Sequence, residues 1–126
     1  FVTAGATQDL DDTVRGAFLL RRVRGLEIFP WRLRPDGRFE SQGRRVLAWK
    51  ESAAISEARV RVSRSGTIAT LVRSATEGAL FVEQRRIPLP DSLVRSPLPI
   101  EIAFRGATPF LIVAREGLGL EVLEYE

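Results

Sequence analysis

From residue 28 to the end of the chain, apolar residues recur at every second position, and short polar or glycine-bearing stretches punctuate them. No feature limits the possible folds more. A period of two places alternate side chains on opposite faces of a strand, so most of this chain is expected to pair into antiparallel sheet. The alternation is sharpest over Ala58–Arg64, where Val60 and Val62 face one way and Arg59, Arg61 and Ser63 the other. Ser65-Gly66 turns the chain into Thr67–Arg73, a hairpin. Pro35-Asp36-Gly37 is a second turn signal, between Phe29–Arg34 and Arg38–Ser41. Further strands are predicted over Arg45–Lys50, Ala79–Arg85, Ile100–Phe104, Phe110–Arg115 and Leu120–Tyr125, with turns at Gly106 and Gly117. Pro88 to Pro99 holds four prolines and reads as a loop, because proline cannot donate to a ladder. Residues 52–57 are either a short helical turn or a loop.

The first 25 residues read differently. Leu10, Val14, Ala17 and Phe18 recur at helical spacing, continued by Leu20 and Val23. Thr7 is placed to cap, Asp9, Asp11 and Asp12 fill a first turn, Arg21, Arg22 and Arg24 a last one, and Gly25 follows as a stop. Acid at the start and base at the end complement a helix dipole. The expectation is therefore an α+β fold: one domain over residues 1–126, with an N-terminal amphipathic helix packed on an antiparallel β-sheet through Leu10, Val14, Phe18 and Val23.

At 126 residues, with 44% hydrophobic and 28% charged residues, the chain can support one ordinary core. Cysteine and histidine are both absent. That removes thiol nucleophiles, disulfides, a histidine general base and nearly all catalytic zinc arrangements. No glycine-rich phosphate loop and no EF-hand spacing is present. Asp9, Asp11 and Asp12 are accounted for by a helix start, and nothing singles out a catalytic pair among the sixteen acids. No catalytic residue, cofactor or metal site is expected, and the chain reads as a non-enzyme. It contains no run of about 20 apolar residues, the length that spans a bilayer as a helix.

The basic residues are unevenly chosen. Lys50 is the single lysine, and eighteen of the nineteen cations are arginine at a net charge of +3. One reading is a genome that favours arginine codons; the other is contact with phosphate, which the guanidinium fork grips in two places at once. Arg32, Arg34 and Arg38 cluster around the first hairpin, and Arg59, Arg61 and Arg64 line one face of a later strand. Trp31 and Trp49 stand beside Arg32 and Lys50, an interleaving that suits stacking on exposed bases. The competing reading makes both tryptophans core and the arginines a solvated face that protects a sheet edge.

Arg86-Ile87-Pro88-Leu89-Pro90, then Ile100-Glu101-Ile102-Ala103-Phe104-Arg105-Gly106 and two closing strands, resemble the rhythm of type IV pilin-like proteins. The match is to minor pilins and type II secretion pseudopilins with a FimT- or GspH-like body. The chain has no methionine, and Phe1-Val2-Thr3-Ala4 fits the stump of a removed apolar segment, so a processed product or a domain of a longer protein is expected. The resemblance implies a structural subunit of a pilus or pseudopilus, serving a type IV pilus, type II secretion or DNA uptake. Its partners would be other pilin or pseudopilin subunits, the membrane through a missing N-terminal helix, and in uptake systems DNA. It implies a bacterial inner-membrane location, with the domain facing the periplasm or cell exterior. From the residues alone, the alternative is an arginine-rich nucleic-acid-binding module.

Overall fold

The structure is a computed structural model that describes residues 2–8, 12–51, 54–97, 99–115 and 119–124. Twelve strands and one short helix are found among these residues: β1 (Val2–Gln8), β2 (Val14–Arg22), β3 (Gly25–Leu33), β4 (Phe39–Ser41), β5 (Arg45–Ala48), β6 (Ile55–Val62), β7 (Ile68–Ser74), β8 (Gly78–Val82), β9 (Arg85–Pro88), α1 (Asp91–Val94), β10 (Ile100–Arg105), β11 (Thr108–Arg115) and β12 (Gly119–Glu124). All ladders are antiparallel. They form a five-stranded sheet β1-β2-β3-β4 with β5 also on β3, a four-stranded sheet β6-β7-β8-β9 and a three-stranded sheet β10-β11-β12.

The sheets stack in three layers, and the alternation within β7 shows why. Every residue of Ile68-Ala69-Thr70-Leu71-Val72-Arg73-Ser74 is buried. Ile68 and Val72 join Ala79 and Phe81 of β8, Val60 and Val62 of β6, and Ala17, Leu19, Leu26, Ile28, Leu47 and Trp49 in a core shared with the first sheet. Ala69, Leu71 and Leu80 point the opposite way. They join Leu89, Leu93, Ile100, Ile102, Leu111 and Val113 in a second core, under the third sheet and α1. A strand buried on both faces reads as a continuous apolar run, as β7 and β8 do.

The expected N-terminal helix is absent: residues Val14–Arg22 are a strand, in register with Val2–Gln8 on one side and Gly25–Leu33 on the other. Burial confirms the period of two. Ala17 and Leu19 are fully buried, whereas Phe18 is 44% and Val23 89% exposed. A helix stripe would have buried Val14, Phe18 and Val23 together. Of the predicted packing residues, Val14 is half-buried in β2 and Leu10 lies outside the described residues. Phe18 faces outward from β2, and Val23 forms the β2–β3 turn. The run Ala17-Phe18-Leu19-Leu20 is apolar on both strand faces, so it satisfies helical and strand spacing equally. The arginines read as a helix end are the polar end of a tight hairpin, in which Arg22 pairs with Gly25 across Val23-Arg24. The fold is therefore antiparallel β throughout its sheets, and α1, four residues long, is its one described helix. None of the described helices is long and apolar enough to cross a membrane.

Beyond residue 28 the predicted hairpins form. Trp31–Leu33 pairs with Phe39–Ser41, and Ile55–Val62 with Ile68–Ser74. Arg45–Ala48 continues along the same edge of β3 as β4, with the register shifted by one residue between them. The predicted strand Ala79–Arg85 is broken by a turn at Glu83-Gln84, where Glu83 adopts φ 57, giving β8 and β9. Gly106 supplies the β10–β11 turn with φ 63, and Gly117 lies outside the described residues.

The proline-rich connection from β9 to β10 is pinned by a buried cation. Arg73 Nη1 donates to the carbonyls of Leu93 and Ser96, each at 3.0 Å, and Nε donates to Glu57 at 3.0 Å. Replacing it by leucine leaves two carbonyls and a carboxylate without their donor, at a cost of about 3–5 kcal/mol. Denaturant unfolding of Arg73→Leu checks this against an exposed control such as Arg38→Leu, which should change stability by under about 0.5 kcal/mol. On the opposite face of β7, Thr70 Oγ1 is buried with no hydrogen-bond partner. Thr70→Val keeps the shape and removes the orphaned hydroxyl, so its stability should hold or rise by about 1 kcal/mol; a loss of that size would contradict the assignment.

Candidate functional site: an aromatic ridge and a basic depression

Among the described residues, no layer covers the outer face of the first sheet. Phe18 and Leu20 of β2 lie on it, with Phe29, Trp31 and Leu33 of β3, Phe39 of β4 and Val46 of β5. Three of its rings form a diagonal row across three strands: Phe18 to Trp31 at 5.9 Å between centroids, and Trp31 to Phe39 at 5.8 Å. The pleat explains the row. Gly16 stands directly opposite Trp31 and carries no side chain, so the indole can lean across β2 toward Phe18. Interplanar angles of 35° and 30° make this a shallow, tilted ridge. Phe39 is 59% exposed at one end and Phe18 44% at the other, while Trp31 Nε1 is buried without a partner.

At one end the ridge is bordered by the β3–β4 hairpin. Arg32 Nη2 donates to Glu40 at 2.8 Å, and Arg34 bonds the other oxygen of the same carboxylate. Arg38 is exposed, and its side chain has no partner among the described residues. At the other end Glu27 sits between Arg22 at 3.3 Å and Arg44 at 3.6 Å. Glu27 lies on the ridge's own face with Arg22 and Arg44, whereas the Arg32–Glu40 pair is one residue out of step with Trp31, Leu33 and Phe39 and so lies on the opposite face of the sheet.

The arginines singled out by sequence do not form one surface. Arg32 and Arg34 share Glu40 on the face of the hairpin opposite the ridge. Arg59 and Arg61 lie on β6 and reach across to the third sheet, where each is 3.3 Å from Glu101 of β10. Arg59 also donates to the Ile100 carbonyl at 3.1 Å and faces Glu57 at 3.8 Å. These two side chains join sheets. Arg64 is exposed in the β6–β7 turn, bordering a depression with Phe104 and Gly106.

A second constellation was not visible in the sequence. Arg24, Ala48, Trp49, Lys50 and Arg86 line a depression of about 520 Å³ where the β2–β3 turn, the end of β5 and β9 meet. Trp49 is 2% exposed and belongs to the first core. Arg86 stacks on it, guanidinium carbon 4.7 Å from the ring centroid, and lies 6.0 Å from Phe81. Arg24 and Lys50 are exposed with no partner among the described residues, and Arg86 meets Glu77 at 3.3 Å. Gly25 fixes the approach: a Cβ there would sit 2.5 Å from the Leu47 carbonyl oxygen, so only glycine lets the Arg24 turn close onto β5.

No group of His, Cys, Asp and Glu able to hold a metal occurs among the described residues. Comparisons with protein-family models, curated proteins and solved structures each return no match. What the surface does must therefore be argued from its own chemistry.

The Glu40 carboxyl is held below the ordinary value of 4.5, first by the Arg32 hydrogen bond and next by that of Arg34. A carboxyl whose folded-state pKa is depressed stabilises the fold above its unfolded pKa, and that contribution is lost as pH falls through the lowered value. An NMR titration of the Glu40 side chain should give a midpoint below 4.5 that moves up in Arg32→Gln. A midpoint indifferent to Arg32 would show that the pair is not formed in solution.

Proposed function

We propose that this domain is a non-enzymatic binding module for single-stranded nucleic acid, engaged on the outer face of its first sheet. The observation that carries the reading is the uncovered row Phe18–Trp31–Phe39, with Arg22 and Arg44 at one end and the exposed Arg38 in the adjoining hairpin. Aromatic faces on a sheet accept bases of any sequence by stacking, and flanking cations follow the phosphate backbone. Ring spacings of 5.9 and 5.8 Å let neighbouring bases of an unstacked strand meet neighbouring rings. Charge complementarity favours a nucleic acid over a neutral partner, because the exposed side chain of Arg38 meets no acid among the described residues. The lack of histidine and cysteine supports binding without catalysis, since the commonest general base and the thiol nucleophile are both missing.

A second reading keeps the subunit-assembly role that the pilin resemblance implied. The helix-on-sheet layout behind that resemblance is gone. Even so, Leu33 at 37% and Val46 at 50% exposure extend the ridge with aliphatic surface, which suits a protein neighbour better than a base.

Binding of a fluorescein-labelled oligothymidylate, followed by anisotropy at several salt concentrations, separates the two. Nucleic-acid binding predicts affinity that falls steeply with salt and weakens by about 1–3 kcal/mol in Phe39→Ala. Phe18→Asp should abolish binding while leaving the melting temperature nearly unchanged, because Phe18 faces outward. Arg59→Gln should leave affinity as it was. Salt-independent binding, or none, together with sedimentation that shows concentration-dependent self-association lost in Phe39→Ala, would replace this reading with assembly.

A further inference from the structure

We infer that the depression over Trp49 is a separate anion site, built for a phosphate-bearing group of diphosphate size. It goes beyond the ridge, since it uses other residues in a different part of the fold. Three cations arrive there from three distant parts of the chain: Arg24 on the β2–β3 turn, Lys50 after β5 and Arg86 on β9. No carboxylate lines the depression; Glu77, outside it, answers Arg86 at 3.3 Å, and Arg24 and Lys50 are left facing one another around the opening. Like charges gathered without a counter-charge repel, and a bound anion relieves the repulsion.

The geometry suits a phosphate group better than a base or a single small ion. Trp49 is already covered by Arg86 and offers no free face for stacking. The stack in turn holds the guanidinium in one plane; its Nη2 donates to Glu77 at 3.3 Å, and its remaining N–H groups face an anion. Lys50, on a flexible stem, adds a mobile point charge. Arg24 is set more rigidly, because Gly25 packs against the Leu47 carbonyl and fixes the two-residue turn that carries it. A volume of about 520 Å³ lies within the range of small-molecule sites and exceeds what one monatomic ion fills.

Trp31→Phe leaves Trp49 as the sole tryptophan, so its fluorescence reports this site alone. That variant is titrated with inorganic pyrophosphate at constant ionic strength, with sodium chloride as the control. A saturable change with a midpoint below about 1 mM is expected, and none with chloride. Arg24→Gln and Lys50→Gln are exposed changes that should keep the melting temperature without anion. Each should weaken pyrophosphate by about tenfold, the effect of losing one charge-assisted hydrogen bond. An oligothymidylate carrying a 5′-phosphate, compared with the same strand without it, then separates a chain-end phosphate from a free diphosphate as the natural source. Phe39→Ala should bind pyrophosphate unchanged, which keeps this site distinct from the ridge. A titration without saturation, an equal response to chloride, or unaltered affinity in both glutamine variants would overturn the site, and oligonucleotide binding at the ridge would stand without it.

Discussion

Burial of β7 on both faces is the constraint from which the rest of the structure follows. A strand with one wet face needs one covering layer; this one needs two. Ile68 and Val72 require the first sheet, Ala69 and Leu71 the third. The same strand carries Arg73 at the border of the second core, where its hydrogen bonds hold the proline-rich connection and with it the approach to β10. Leu71 and Leu93 are both fully buried in that second core. Both layers thus take their position from a single hydrophobic strand and one buried cation.

With the middle sheet fully occupied, the chain's free surface falls on the outer layers. The first sheet satisfies its inner face with Ala17, Leu19, Leu26, Ile28 and Leu47. What remains outside is unusual for a solvent face: Phe18, Phe29, Trp31, Leu33, Phe39 and Val46 in place of polar residues. Antiparallel sheets with one solvated face ordinarily alternate apolar inside and polar outside. The departure sits on one sheet and groups its aromatic residues side by side.

Electrostatics divides the arginines into two kinds. Arg59, Arg61 and Arg73 are spent on joining layers, each held by a carboxylate or a carbonyl of another element. Arg24, Arg38 and Lys50 have no such duty among the described residues. A modest net charge of +3 therefore conceals a surface on which positive charge is locally concentrated. Proximity in the fold decides which kind a residue is; spacing along β6 made Arg59 and Arg61 look available when Glu101, some forty positions on, was already waiting for them.

Much of the sheet architecture was determined by the sequence itself. The alternation around Val60 and Val62 and the turns at Pro35-Asp36-Gly37, Ser65-Gly66 and Gly106 are local signals, set by the pleat and by which residues tolerate each turn, and the ladders follow them. The first 25 residues were misread because Ala17-Phe18-Leu19-Leu20 is apolar on both strand faces, and such a run carries no period that separates strand from helix. Only the partners β1 and β3 decide it. The sites divide the same way. Trp31 beside Arg32 was legible, but the pleat sends the indole to the ridge and the guanidinium to the opposite face, onto Glu40. The ridge needed the register that sets Gly16 opposite Trp31, and the basic depression needed three hairpins to close before Arg24, Lys50 and Arg86 could meet. Side-chain period and turn chemistry act over a few residues, while a surface assembled from distant strands exists only once their pairing is fixed.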